Sequence, residues 1–131
     1  MKIKTSGENE TAAAAKNYAA TLKRGDIVLL KGDLGAGKTA FIKGAAEYFG
    51  IYDVTSPTYA YLNVYGGFIY HYDCYRLSSG EEAEAMGLTE YFGGDNICFI
   101  EWAENIESAL PQGCRQVVIE KTGEREREIT L

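Results

Sequence analysis

Apolar positions in this chain fall into two patterns, unbroken runs and spaced stripes. Ile27-Val28-Leu29-Leu30 and Ile97-Cys98-Phe99-Ile100 are continuous runs of strand length. Such runs suit strands covered on both faces, as in a parallel sheet between two helical layers. Helical spacing marks Thr11 to Leu22, where Ala15, Tyr18, Ala19 and Leu22 recur on one face. Lys23 and Arg24 suit the negative end of that helix, and Gly25 is a stop. A second helix is predicted from Lys38 to Phe49, with Phe41, Ala45 and Phe49 on one face and Gly50 as its cap.

Strand formers dominate Tyr59 to Tyr65 and return in Phe68 to Asp73, with Gly66-Gly67 between them as a hairpin turn. Ser78 to Phe92 reads as one or two short helices, and Ser79 with Glu82 has capping-box spacing. Trp102 to Leu110 reads as helical and stops before Pro111. Val117-Val118-Ile119 and the tail Glu124 to Ile129 predict a last hairpin across Thr122-Gly123. The alternating charges of that tail suggest a solvated edge strand. MKIKT at the start predicts a short edge strand.

Composition narrows the class. The 131 residues are 46% hydrophobic and 24% charged, the balance of one globular domain spanning 1–131. A net charge of -6 argues against a protein that lives by gripping nucleic acid alone. Cys74, Cys98 and Cys114 have no CxxC spacing and read as reduced, packed thiols of a cytoplasmic protein. A single His argues against a His-built zinc site, and no apolar run is long enough to cross a membrane.

The chemistry centres on Gly32-Asp33-Leu34-Gly35-Ala36-Gly37-Lys38-Thr39, the GxxxxGK[ST] phosphate loop. A buried strand enters it and an amphipathic helix leaves it, as the motif requires. Glycines let successive N–H groups turn inward as an anion nest at a helix start. Lys38 brings an ammonium to the β- and γ-phosphates, and the Thr39 hydroxyl is a hard ligand for Mg²⁺. The fold predicted is therefore α/β, a phosphate-loop nucleoside-triphosphatase-like three-layer domain. Its mixed, mostly parallel sheet is flanked by helices and carries antiparallel hairpins.

Ligands bind off the carboxyl ends of strands in such sheets. Two strands end in an acid there, Ile97 to Glu101 and Phe68 to Asp73. Glu101 is the favoured metal ligand. Asp73 is a second metal-shell group or the group that positions the attacking water. Either acid could instead cap the segment that follows. His71 reads as a hydrogen-bonding strut. The loop Thr55-Ser56-Pro57-Thr58 carries hydroxyls that could sense a γ-phosphate, Thr58 among them.

Four motifs in one order, GDLGAGKT (32–39), TSPTY (55–59), HYDCYRL (71–77) and IEWAE (100–104), resemble the bacterial TsaE family, also called YjeE. The resemblance spans nearly the whole chain. It implies ATP binding by Asp33, Leu34, Gly35, Ala36, Gly37, Lys38, Thr39 and Ala40. It implies Mg²⁺ on Thr39 and Glu101, hydrolysis that needs Asp73, and Trp102 beside the nucleotide. The segment around Ser6 and Glu8 would border it too. Lys38, Asp73 and Glu101 are then the catalytic set. The family acts with TsaB and TsaD, which place threonylcarbamoyl on the adenosine beside the anticodon of ANN-decoding tRNAs. Its ATP cycle would reset that complex, with tRNA touched only through the partners. The family commonly has Phe where this chain has Tyr59, and Pro where it has Ala103.

The alternative from the residues alone is a small-molecule kinase. Such enzymes carry Arg-rich lids, and here Arg76 is the only Arg between the phosphate loop and Arg115. A guanine-selecting Asn/Thr-Lys-x-Asp element is absent, which favours ATP over GTP.

Overall fold

The computed structural model describes residues 1–54 and 61–131. The hydroxyl-bearing loop with Thr58, and Tyr59, lie outside the described residues. The strands are β1 (Lys2–Ser6), β2 (Ile27–Lys31), β3 (Leu62–Tyr65), β4 (Ile69–Asp73), β5 (Ile97–Glu101), β6 (Arg115–Lys121) and β7 (Glu126–Thr130). The helices are α1 (Glu8–Ala19), α2 (Lys38–Tyr48) and α3 (Gly80–Ala85), with 3-10 segments at Leu88–Tyr91 and Ala103–Ala109.

One compact unit comprises Met1–Leu22, Lys31–Ser56 and Gln116–Leu131. Its strands are antiparallel: β7 pairs with β1 (Ile3 against Ile129) and with β6 (Ile119 against Ile129). Ile119 and Ile129 are fully buried in its core, as are Phe41 and Ile42 of α2. Tyr18 of α1 packs on Phe41 with ring centroids 5.7 Å apart. The two helices meet closely because Gly44 has no side chain: a Cβ there would strike the backbone of Ala12.

The edge-strand expectation for Glu124 to Ile129 is corrected here. β7 is paired on both sides. Alternating charge reports which face of a strand meets water, not whether its flank is open. α1 also starts three residues before the expected Thr11. Its acidic first turn, Glu8 and Glu10, complements the positive helix end.

The second unit comprises Lys23–Leu30 and Pro57–Arg115. Its centre is parallel, β2 beside β5 beside β4, and β3 closes it as an antiparallel partner of β4. Both continuous apolar runs are parallel strands with mostly buried residues, which explains their lack of alternation. Phe99 and Ile100 of β5 are fully buried. Tyr72 is buried too, and its hydroxyl donates to the Leu88 carbonyl at 2.8 Å. The Ser79 hydroxyl accepts from the Glu82 N–H at 3.1 Å, the expected cap of α3. The segment after Trp102 is 3-10 rather than α-helical.

Candidate functional site

In the first unit the candidate residues form the loop that opens α2. Asp33, Leu34 and Gly35 are exposed, Leu34 at 80%. Ala36 is buried, and its N–H donates to the Asp33 carbonyl at 3.0 Å, which closes the turn. Gly37 takes φ 107 and caps α2, a backbone position that favours glycine. Lys38 is the first helical residue. Its side chain is buried, and Nζ donates to the Gly32 carbonyl at 2.7 Å. The ammonium is thus folded back across the loop that it heads. Thr39 and Ala40 follow, half-buried, in the first turn of α2. That turn contains no acidic residue, so nothing there opposes an anion at the helix start.

An arginine that sequence reasoning left aside braces this loop. Arg127 of β7 donates from Nε to the Ala36 carbonyl at 2.8 Å and from Nη2 to the Gly35 carbonyl at 3.1 Å. The sequence signal was partial: Arg127 lies two residues from buried Ile129, on the same strand face, which does not say what it meets.

The segment around Ser6 and Glu8 belongs to the same unit. Ser6 ends β1 and its N–H donates to Glu10 Oε1 at 2.9 Å. Glu8 opens α1 and is exposed. A Cβ on Gly37 would stand 3.9 Å from Thr11 Cγ2, so the start of α1 borders the phosphate loop.

The second unit carries its own candidate cluster, at the carboxyl ends of β4 and β5. Asp73 and Glu101 are direct partners across that parallel pair, and Leu30 of β2 is the partner of Glu101 on its other side. The chain enters the phosphate loop two residues beyond Leu30. His71, 1% exposed, stands with Nε2 2.5 Å from Glu101 Oε2 and with Nδ1 3.5 Å from the Tyr65 hydroxyl. The strut expected at His71 therefore braces Glu101. Burial raises the Tyr65 phenol pKa, and the nearby Glu101 charge raises it further. Asp73 also caps the turn after β4, because its Oδ1 accepts from the Tyr75 N–H at 3.1 Å.

Trp102 follows Glu101 with φ 58, the one described non-glycine residue with positive φ. Such a backbone costs about 1–3 kcal/mol and persists only where its surroundings hold it. Its ring meets Tyr75 edge-on at 5.1 Å, and its carbonyl accepts from the Asn105 N–H at 3.1 Å.

Among the described residues, no group of three or more His, Cys, Asp or Glu is placed to hold a metal ion. Mg²⁺ bound with a nucleotide needs no such cage, since phosphate and water oxygens complete its shell beside one or two protein oxygens. A hydroxyl and a carboxylate, both hard donors, fit that chemistry. A separate cavity of about 450 Å³ is lined by Asp26, Ile27, Phe92 and Cys114, at the amino ends of β2 and β5. It therefore lies at the edge of the unit opposite Glu101.

Covered parallel strands, flanking helices and antiparallel hairpins define a protein of the α/β class. Within that class the family is specific. The model of the threonylcarbamoyl adenosine biosynthesis protein TsaE matches residues 5–129. The chain belongs to this family, and with it to threonylcarbamoyladenosine biosynthesis in tRNA. It is 48% identical to the TsaE protein of Bacillus subtilis, over 100% of this chain and 84% of that one. It is 37% identical to that of Treponema pallidum, over 100% of this chain and 99% of that one. The crystal structure of Bacillus subtilis YdiB superposes with a TM-score of 0.80 at 43% identity, over 98% of this chain and 82% of that chain. No described helix is long and apolar enough to cross a membrane.

Proposed function

We propose that this protein binds ATP with Mg²⁺ through the Gly32 to Thr39 loop and hydrolyses it. The ATP cycle would serve the TsaB–TsaD proteins as they form threonylcarbamoyladenosine beside the anticodon of ANN-decoding tRNAs. The observation that carries this reading is the conformation of the loop. Its glycine-capped helix start, its buried lysine and the absence of acid in its first turn all favour a phosphate.

Thr39 and Glu101 are the magnesium ligands in this reading, and Asp73 orients the attacking water. Magnesium, when bound, supplies charge neutralisation on the phosphate oxygens. Lys38 exchanges its bond to the Gly32 carbonyl for the β- and γ-phosphates. His71 holds the Glu101 carboxylate at one oxygen. Trp102 and Tyr75 present aromatic surface next to the strand end that carries Glu101. The protein then works in the cytoplasm, and tRNA is reached only through the partners.

The test is Mg²⁺-dependent ATP hydrolysis by the purified protein, alone and with a TsaB–TsaD complex. Slow turnover alone that rises with the complex is the expected result. Turnover indifferent to the complex would remove the partner role, and a screen of small hydroxyl acceptors would then examine the kinase alternative.

A further inference from the structure

The terminal hairpin reaches into the phosphate loop through one side chain. The Arg127 guanidinium donates to five backbone carbonyls. Two belong to the loop, Ala36 at 2.8 Å and Gly35 at 3.1 Å. Two belong to the turn joining β6 to β7, Gly123 at 3.3 Å and Glu124 at 3.3 Å, and one to Glu126 at the start of β7, at 2.9 Å. The strand behind it is anchored on both sides, with Thr5 of β1 and Lys121 of β6 opposite Arg127. A planar fork of fixed N–H directions on a doubly paired strand sets angles as well as distances.

We infer that Arg127 is a positioning residue that sets the phosphate loop in its anion-binding form before nucleotide arrives. The physical reason is peptide geometry. A trans peptide points its C=O and N–H in opposite directions. Holding the Ala36 carbonyl on Arg127 turns the Gly37 N–H away from Arg127, at the glycine that caps α2. Nε, Nη1 and Nη2 each donate to a backbone carbonyl, so the guanidinium acts through the loop. A preset loop does not have to give up conformational freedom when phosphate binds, which raises affinity. The inference rests on the reading of residues 32–39 as a phosphate loop.

The experiment pairs two readouts on the full chain. Calorimetry measures Mg-ADP affinity for wild type, Arg127→Ala, Arg127→Lys, the exposed charge control Lys4→Ala and the loop control Lys38→Ala. Hydrogen exchange of peptides covering residues 33–39 is followed on the same proteins without nucleotide. Arg127→Ala is expected to bind about tenfold more weakly, the worth of one or two hydrogen bonds. Exchange in the loop should accelerate. Arg127→Lys should recover little, because one ammonium cannot reproduce the fork, and Lys4→Ala should match wild type.

Wild-type affinity in Arg127→Ala, or full recovery in Arg127→Lys, overturns the inference. If Arg127→Ala does not fold, Arg127→Lys decides by the same two readouts, and wild-type values in it overturn the inference. If wild type itself fails to bind Mg-ADP, the nucleotide reading falls. Exchange in the nucleotide-free loop still decides the clamp, and unchanged exchange in Arg127→Ala overturns it.

Discussion

His71 and Glu101 are joined across the parallel β4–β5 pair by one short hydrogen bond, Nε2 to Oε2 at 2.5 Å. A carboxylate only accepts, so His71 donates through Nε2–H, while Nδ1 stands 3.5 Å from the Tyr65 hydroxyl. His71→Ala leaves the half-buried Glu101 carboxylate without this donor. The expected cost is about 1–3 kcal/mol of stability, measured by urea unfolding. His71→Asn, which keeps an N–H, should recover part of it. Equal stability of wild type and His71→Ala would show that this bond contributes nothing.

Asp73 must be tested with its cap intact. Asp73→Asn keeps the oxygen that accepts from the Tyr75 N–H, so the turn should survive. We expect such a variant to bind ATP normally and hydrolyse it at least tenfold more slowly in single turnover, the order of effect of losing a residue that positions or activates the nucleophile. Normal single-turnover hydrolysis would return Asp73 to a capping role alone. Glu101→Ala should instead weaken the Mg²⁺ dependence of nucleotide binding. Magnesium titrations matching wild type would remove Glu101 from the metal shell.

Gly44 of α2 lies directly against the backbone of Ala12 in α1. A Cβ at this position would collide with the Ala12 carbonyl, a group that cannot swing aside. Gly44→Ala should destabilise the protein by about 1–3 kcal/mol despite the better helix propensity of Ala. Calorimetric melting reads this as a lower Tm. An unchanged Tm would mean that the helices separate without cost.

The buried thiols make a pH prediction. Burial pushes the Cys74 thiol up to about 12 from 9.0, aided by the Asp73 and Glu101 charges. Burial likewise pushes Cys98 up to about 12 from 9.0. The folded state therefore holds protons that the unfolded chain releases. The stability from keeping these thiols neutral is complete below pH 9 and is lost as pH rises through about 12. Denaturant midpoints should fall across that alkaline window, and Cys74→Ala with Cys98→Ala should flatten the fall. At pH 8 alkylation should reach half-exposed Cys114 first. Equal alkylation of all three thiols in the native protein would contradict this burial.

Much of the site was legible because local rules carried it. GDLGAGKT encodes a strand end, a glycine turn and a helix start within eight residues, and Gly37 and Lys38 behave as that order requires. Glu101 and Asp73 were legible as strand-end acids because each closes an apolar or alternating run. The role of the tail was not. Arg127 and Ile129 share a strand face, but nothing local says that this face carries an arginine to carbonyls more than ninety positions earlier.

The sequence alone determined most element types, the glycine-rich turn before α2, the positions of the strand-end acids and, through four ordered motifs, the family. Those properties come from spacing along the chain, which periodicity and turn chemistry express directly. Tertiary structure decided which strands pair and in what register. It set Asp73 opposite Glu101, braced Glu101 with His71 and brought Arg127 to the Gly35 and Ala36 carbonyls. Each of those is a long-range contact, formed only when separate segments bury their apolar faces together, so no local pattern records it.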